Sequence, residues 1–140
     1  FRIVTKNAQL SLPEMKIGMI PGSGGSVRLA RMIGLSRVKD MIMRGKRISG
    51  EQAFTWGIAA EIVDNDQLES MTEILVSELC SVSPLAQRAV KTVLNTSQDA
   101  PLHVAIELEG ETYGRLRSSN DFKEGVQSFV EKRKPNYTGS

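Results

Sequence analysis

A carboxylate beside a proline, followed eight residues on by a Pro-Gly turn and then a glycine pair, can hold one acid/base at the rim of a pocket. Here the run is Pro13-Glu14-Met15-Lys16-Ile17-Gly18-Met19-Ile20-Pro21-Gly22-Ser23-Gly24-Gly25. Leu12, Met15 and Ile17 flank Glu14 and are expected to keep its surroundings dry, which suits proton transfer next to a carbonyl. The residues alone leave a second reading open, a surface carboxylate that caps a turn. Gly22 reads as a turn residue that needs a free backbone. Gly24 and Gly25 lead into a helix N-terminus, whose N–H groups suit an anion. No Gly-Lys-Ser/Thr follows, so this is not a P-loop, and tight packing of turn against helix is the expected role.

The other chemistry-bearing side chains have weaker settings. Lys132, Arg133 and Lys134 cluster at the end of the last helical pattern, where cations also suit the helix dipole. His103 is the only histidine. It has no nearby Ser or Cys for triad logic and no second metal ligand, so a helix-surface or packing role is expected. Cys80 is the only cysteine, which excludes an internal disulfide, and it reads as a buried structural thiol. Trp56 and the methionines 32, 41 and 43 read as core.

Several elements must position these groups. Strands are expected at 1–4 and 8–12 around a turn at 5–7, and again at 58–63. A helix is predicted from Ser26 to Ile33, stopped by Gly34, and another from a Ser36 cap to Arg44. Ser49-Gly50-Glu51-Gln52 and Asp66-Gln67-Leu68-Glu69 read as capping boxes. Beyond Leu79 the pattern is helical throughout. Ser83-Pro84 opens one helix, with Ala86, Ala89, Val90, Val93 and Leu94 as its buried stripe. Pro101 opens the next, and Asp121 is expected to cap the last, which carries Phe122, Val126, Phe129 and Val130. A boundary is therefore expected between residues 1–80 and 81–140. Two or three short strands do not make a covered sheet, so the apolar strand residues are expected to need a further surface.

Composition excludes several classes. A net charge of +2 is too small to point to nucleic acid, and 5% aromatic residues offer little stacking surface. No apolar run approaches the roughly 20 residues of a membrane span. The opening Phe1-Arg2-Ile3-Val4, without an initiator Met, is expected of a piece of a longer chain.

The Pro13-Glu14 pair, the Pro21-Gly22 turn with Gly24-Gly25, and the tail Phe129-Val130-Glu131-Lys132-Arg133-Lys134-Pro135-Asn136-Tyr137 together resemble the enoyl-CoA hydratase/isomerase (crotonase) family. The likeness covers essentially all of the chain, as the C-terminal half of such a protein. It implies an α/β (α+β) fold: the C-terminal part of a ββα spiral at 1–80, then a helical oligomerisation segment at 81–140. It also implies that Glu14 is the catalytic acid/base in enolate chemistry on an acyl-CoA thioester. In the family's hydratases this Glu works with a second Glu to add water across a double bond; in many isomerases it moves a proton between carbons. Gly22 matches the glycine whose N–H lies near the reacting water, and it speaks against dienoyl-CoA isomerases, which carry Asp there. Phe129 and Lys132 match residues that reach the nucleotide part of coenzyme A, often on a neighbouring subunit.

The resemblance further implies no metal and no cofactor, coenzyme A being part of the substrate. It implies a homo-oligomer, a trimer or a dimer of trimers, in the cytoplasm or an organelle matrix, with no nucleic-acid or membrane partner. The family's oxyanion hole, two backbone N–H groups on the thioester oxygen, is expected upstream of these residues, so the chain alone is expected to be inactive. The alternatives are a double-bond isomerase in place of a hydratase, and a non-catalytic assembly module of the same fold.

Overall fold

The computed structural model describes residues 1–140. The chain divides into two compact units, Phe1–Ile74 and Leu75–Ser140. The division falls within the helix Leu68–Cys80, ahead of the boundary expected after residue 80.

The first unit opens with β1 (Ile3–Thr5) and β2 (Gln9–Leu10), followed by a 3₁₀ turn at Glu14–Ile17. Helices α1 (Gly25–Ile33) and α2 (Leu35–Met43) come next, then β3 (Ile48–Ser49), α3 (Gly50–Thr55) and β4 (Glu61–Val63). β1 pairs in parallel with β4, Val4 opposite Ile62, and β2 pairs antiparallel with β3, Leu10 opposite Ile48. These are separate two-stranded sheets, too small to bury a face on their own. The helices supply the missing cover. Val38, Met41 and Ile42 recur at helical spacing on α2 and meet Ile33, Ile48, Ala53 and Ile58 in one apolar cluster. Met41 and Ile48 are its fully buried centre, each contributing about 1.5–3 kcal/mol. Leu10, Leu12, Leu29, Ala30 and Trp56 pack against its edge. The Arg37 guanidinium lies 5.2 Å from the centre of the Trp56 ring, shielding its outer face.

The Ser49 capping box forms as expected: Ser49 Oγ accepts from Gln52 N at 3.2 Å, and Gln52 Oε1 accepts from Ser49 N at 3.2 Å. Ser36 does not cap α2. Gly34 does, at φ 84° and ψ 155°, and it ends α1 as well. Asp66 caps nothing either, because a 3₁₀ turn at Asn65–Gln67 runs straight into α4 (Leu68–Cys80). Of the three methionines read as core, only Met41 is buried; Met32 and Met43 are exposed.

The second unit holds α5 (Pro84–Ser97), α6 (Leu102–Arg117) and α7 (Asn120–Val130). Ser83 caps α5, its Oγ accepting from Ala86 N at 3.1 Å. Only Val93 of the expected α5 stripe is buried, whereas Val90 and Leu94 are half or more exposed. Cys80 is exposed, not buried, because α4 presents no fully buried position. His103 lies exposed on α6, as expected. No helix of the chain is long and apolar enough to cross a membrane.

Candidate functional site

Glu14 opens the 3₁₀ turn, directly after Pro13. Its main-chain oxygen accepts from Met19 N at 3.1 Å, which folds residues 14–19 into a compact loop. Its side chain caps nothing, so the turn-capping reading does not hold. Instead Oε2 is buried without a hydrogen-bond partner. An unpaired buried polar oxygen costs about 1–3 kcal/mol, more when charged, so a native fold that keeps one has a reason for it, a catalytic role or a bound water among them. Met15 and Ile17, expected to keep it dry, are themselves exposed, as are Met19 and Ile20, so the apolar residues of this loop are open to solvent.

The turn after this loop lies against the start of α1. A Cβ placed at Gly25 would touch Pro21 at 3.6 Å and Leu12 at 3.8 Å, so the residues just ahead of Glu14 and Gly22 share one contact. The left-handed conformations of the turn fall on Ser23 and Gly24, not on Gly22. A Cβ at Gly22 would meet nothing within 4 Å. Gly22 lies in the turn as expected, its main-chain oxygen accepting from Gly25 N at 3.1 Å, but neither turn geometry nor packing within the chain requires glycine there. What glycine does there is leave the main chain bare at an exposed surface.

Phe129 and Lys132 lie in the second unit. Phe129 is 85% exposed and borders a groove of about 570 Å³ that Tyr113, Leu116, Phe122, Val126 and Tyr137 also line. Lys132 follows the end of α7 at φ 53°, a left-handed conformation that costs a non-glycine residue about 1–2 kcal/mol. The turn is a Schellman motif: Lys132 N donates to Phe129 O at 3.3 Å and Arg133 N to Ser128 O at 3.0 Å. Of the basic cluster, Arg133 is paired. Its Nη1 and Nη2 fork onto Glu124 at 2.6 and 2.9 Å, and its Nε reaches Glu131 at 2.6 Å.

Two carboxylates pin the tail, one of them expected instead as a helix cap. Asp121 is not the cap of α7; Ser119 is, accepting from Phe122 N at 3.0 Å. Buried Asp121 accepts from Thr138 N and Gly139 N through Oδ1, at 2.9 and 3.0 Å, and from Ser83 Oγ through Oδ2 at 2.6 Å. Glu124 also takes Asn136 N at 2.7 Å. The only signal in the sequence was a carboxylate ahead of a basic run, which no periodicity template scores.

The Ser83 hydroxyl, with the Gly139 and Thr138 amides, holds the Asp121 carboxyl below the usual carboxylate range. Arg133, with the Asn136 amide, pulls Glu124 from 4.5 to about 2. Both groups favour the ionised form when folded, so their stabilisation is complete above the unfolded value and is lost as pH falls through the folded one. Acid titration should therefore free the tail between pH 4.5 and about 2. The amide resonances of Asn136, Thr138 and Gly139 report it. Midpoints at the ordinary carboxylate value would show that the tail is not held this way.

No group of three or more His, Cys, Asp or Glu side chains is arranged to hold a metal ion.

Comparison with known proteins fits this arrangement. The family described as enoyl-CoA hydratase/isomerase matches residues 1–140. A methylglutaconyl-CoA hydratase of Pyricularia oryzae is 34% identical, over 99% of this chain and 44% of its own length. A 2,3-dehydroadipyl-CoA hydratase of Escherichia coli is 32% identical, over 98% of this chain and 54% of its own. The crystal structure of an enoyl-CoA hydratase from Bacillus anthracis superposes with a TM-score of 0.96 at 35% identity, covering all of this chain and 54% of that one. The chain thus spans about half the length of the relatives it matches. On its fold and its sequence alike, it belongs to the enoyl-CoA hydratase/isomerase family.

Proposed function

We propose that this chain carries the proton-transfer group, and one edge of the coenzyme A site, of an enzyme acting on acyl-CoA thioesters. The observation that supports this most directly is the buried, unpaired Oε2 of Glu14. In the favoured reaction water adds to the β-carbon of an enoyl thioester. The electron pair of the double bond moves into a thioester enolate, Glu14 delivers a proton to the α-carbon, and the proton lost by the attacking water passes to a second carboxylate. A second carboxylate and the oxyanion-binding N–H groups come from the part of the relatives that this chain does not span. The hydratase names of the relatives favour water addition over double-bond migration, in which Glu14 alone would take a proton from one carbon and return it to another.

Gly22 presents its bare main chain near the reacting water, and Phe129 and Lys132 meet the nucleotide end of coenzyme A. The full protein is a homo-oligomer, a trimer or a dimer of trimers. The exposed Val90, Leu94, Ile106, Phe122 and Val126 of α5–α7 are surface that such an assembly would cover. A cytoplasmic or organelle-matrix location belongs to the same reading.

The reading is tested by assaying the full-length protein against a panel of enoyl-CoA esters, alongside Lys132→Ala. The substitution should raise KM for the coenzyme A esters more than it lowers kcat, because it removes a contact to a remote, non-reacting part of the substrate. With pantetheine thioesters, which lack the nucleotide phosphates, the effect should vanish. Equal effects on both substrates would remove Lys132 from the site. A full-length protein inert towards the whole panel would favour an assembly module without catalysis.

A further inference from the structure

The end of α7 holds three charged side chains whose arrangement exceeds what ending a helix requires. Glu124, Glu131 and Arg133 form one cluster, with both guanidinium edges occupied and Glu131 taking a further bond from Gln127 Nε2 at 2.6 Å. Glu131 and Arg133 are the residues on either side of Lys132. Both neighbours are thus tied back to α7, while Lys132 itself, exposed and at φ 53°, takes part in none of the chain's ion pairs. A helix that merely needed a stop would be better served by glycine at this position. Keeping a lysine there accepts about 1–2 kcal/mol of backbone cost, and such outliers gather where a side chain must be presented in one direction.

Charge points the same way. Arg133 binds both carboxylates and offsets one of their two negative charges, so they draw the Lys132 ammonium onto the protein surface less and repel a polyphosphate less. We propose that the Glu124–Arg133–Glu131 cluster is a positioning device, which holds the turn so that Lys132 is presented to the phosphate-bearing end of a coenzyme A ester. This rests on the Lys132 contact proposed above and adds the residues that make it effective.

The test turns on a sign. Glu124→Gln removes a negative charge, so simple electrostatics expects phosphate binding to improve. Positioning expects the opposite, because the forked pair is lost. In the full-length protein, Glu124→Gln should raise KM for a coenzyme A ester roughly three- to tenfold with kcat unchanged. The pantetheine thioester should not respond, and in a Lys132→Ala background the substitution should add nothing further. Arg133→Lys, which keeps the charge and loses the fork, should act in the same direction and serves if the first variant folds poorly. An unchanged or lowered KM for Glu124→Gln overturns the positioning role while leaving the Lys132 contact standing. So does an equal rise with the pantetheine thioester. If Lys132→Ala is itself silent with the coenzyme A ester, the contact falls and the positioning role falls with it.

Discussion

Glu14→Gln in the full-length protein should lower turnover of an enoyl-CoA ester by at least about a hundredfold, the usual scale for losing a general acid/base. The substitution keeps the shape of the side chain and removes only its capacity to exchange a proton. KM should change little, since the carboxylate acts on the reacting carbons and not on the nucleotide. Stability supplies a second, independent readout. Oε2 is buried and bonded to nothing in the chain, so the fold loses no hydrogen bond from it when Gln replaces Glu. The thermal midpoint should therefore not fall. Turnover that survives across a panel of esters would show that Glu14 is not the proton carrier. A loss of turnover together with a fall in the midpoint would make the residue a structural one.

The second large effect is expected on stability, at the start of α3. Gly50 begins α3, and its N–H donates to Ala8 O at 2.9 Å. A Cβ built there would lie 2.0 Å from the Thr5 carbonyl oxygen and 3.0 Å from the Thr5 carbonyl carbon. Both are main-chain atoms at the end of β1, and that strand is itself paired with β4, so no side chain can swing aside to relieve the clash. Gly50→Ala should cost at or beyond the upper end of the about 1–3 kcal/mol typical of overpacking. The thermal midpoint, or the urea midpoint at unchanged slope, measures it. A midpoint within about 1 °C of the parent would show that β1 yields to the methyl group.

What the sequence made legible was what is local. The Ser49–Gln52 capping box, the Ser83-Pro84 helix start and the run of helices after α4 each depend on residues a few positions apart, and they form as read. The α7 cap was misread because Ser118, Ser119, Asn120 and Asp121 are four cap-forming residues in a row, and pattern alone cannot choose among them. The choice is made 17 residues downstream, where the Thr138 amide takes Asp121. Burial was misjudged for a related reason. Cys80, Met32 and Met43 sit in helical apolar patterns, but periodicity shows only that a face exists and not that the chain covers it. At the candidate site, the types and spacing of Glu14 and Gly22 were legible. The buried unpaired oxygen was not, because burial of a single side-chain atom depends on what the folded chain packs around it. Nor was the pairing of Arg133 with Glu124, which reaches back nine residues past the end of a helix.

Gly34 is the single residue between α1 and α2, capping the end of one and the start of the next at φ 84° and ψ 155°. A Cβ there would meet nothing within 4 Å. Open space would suggest a tolerant position, one where a survey of side-chain volume predicts free substitution. Yet that backbone region is essentially closed to every residue but glycine, because the obstacle is the residue's own chirality and not its neighbours. Handedness, not room, is the selective pressure at this corner, and relaxing the surrounding packing cannot lift it.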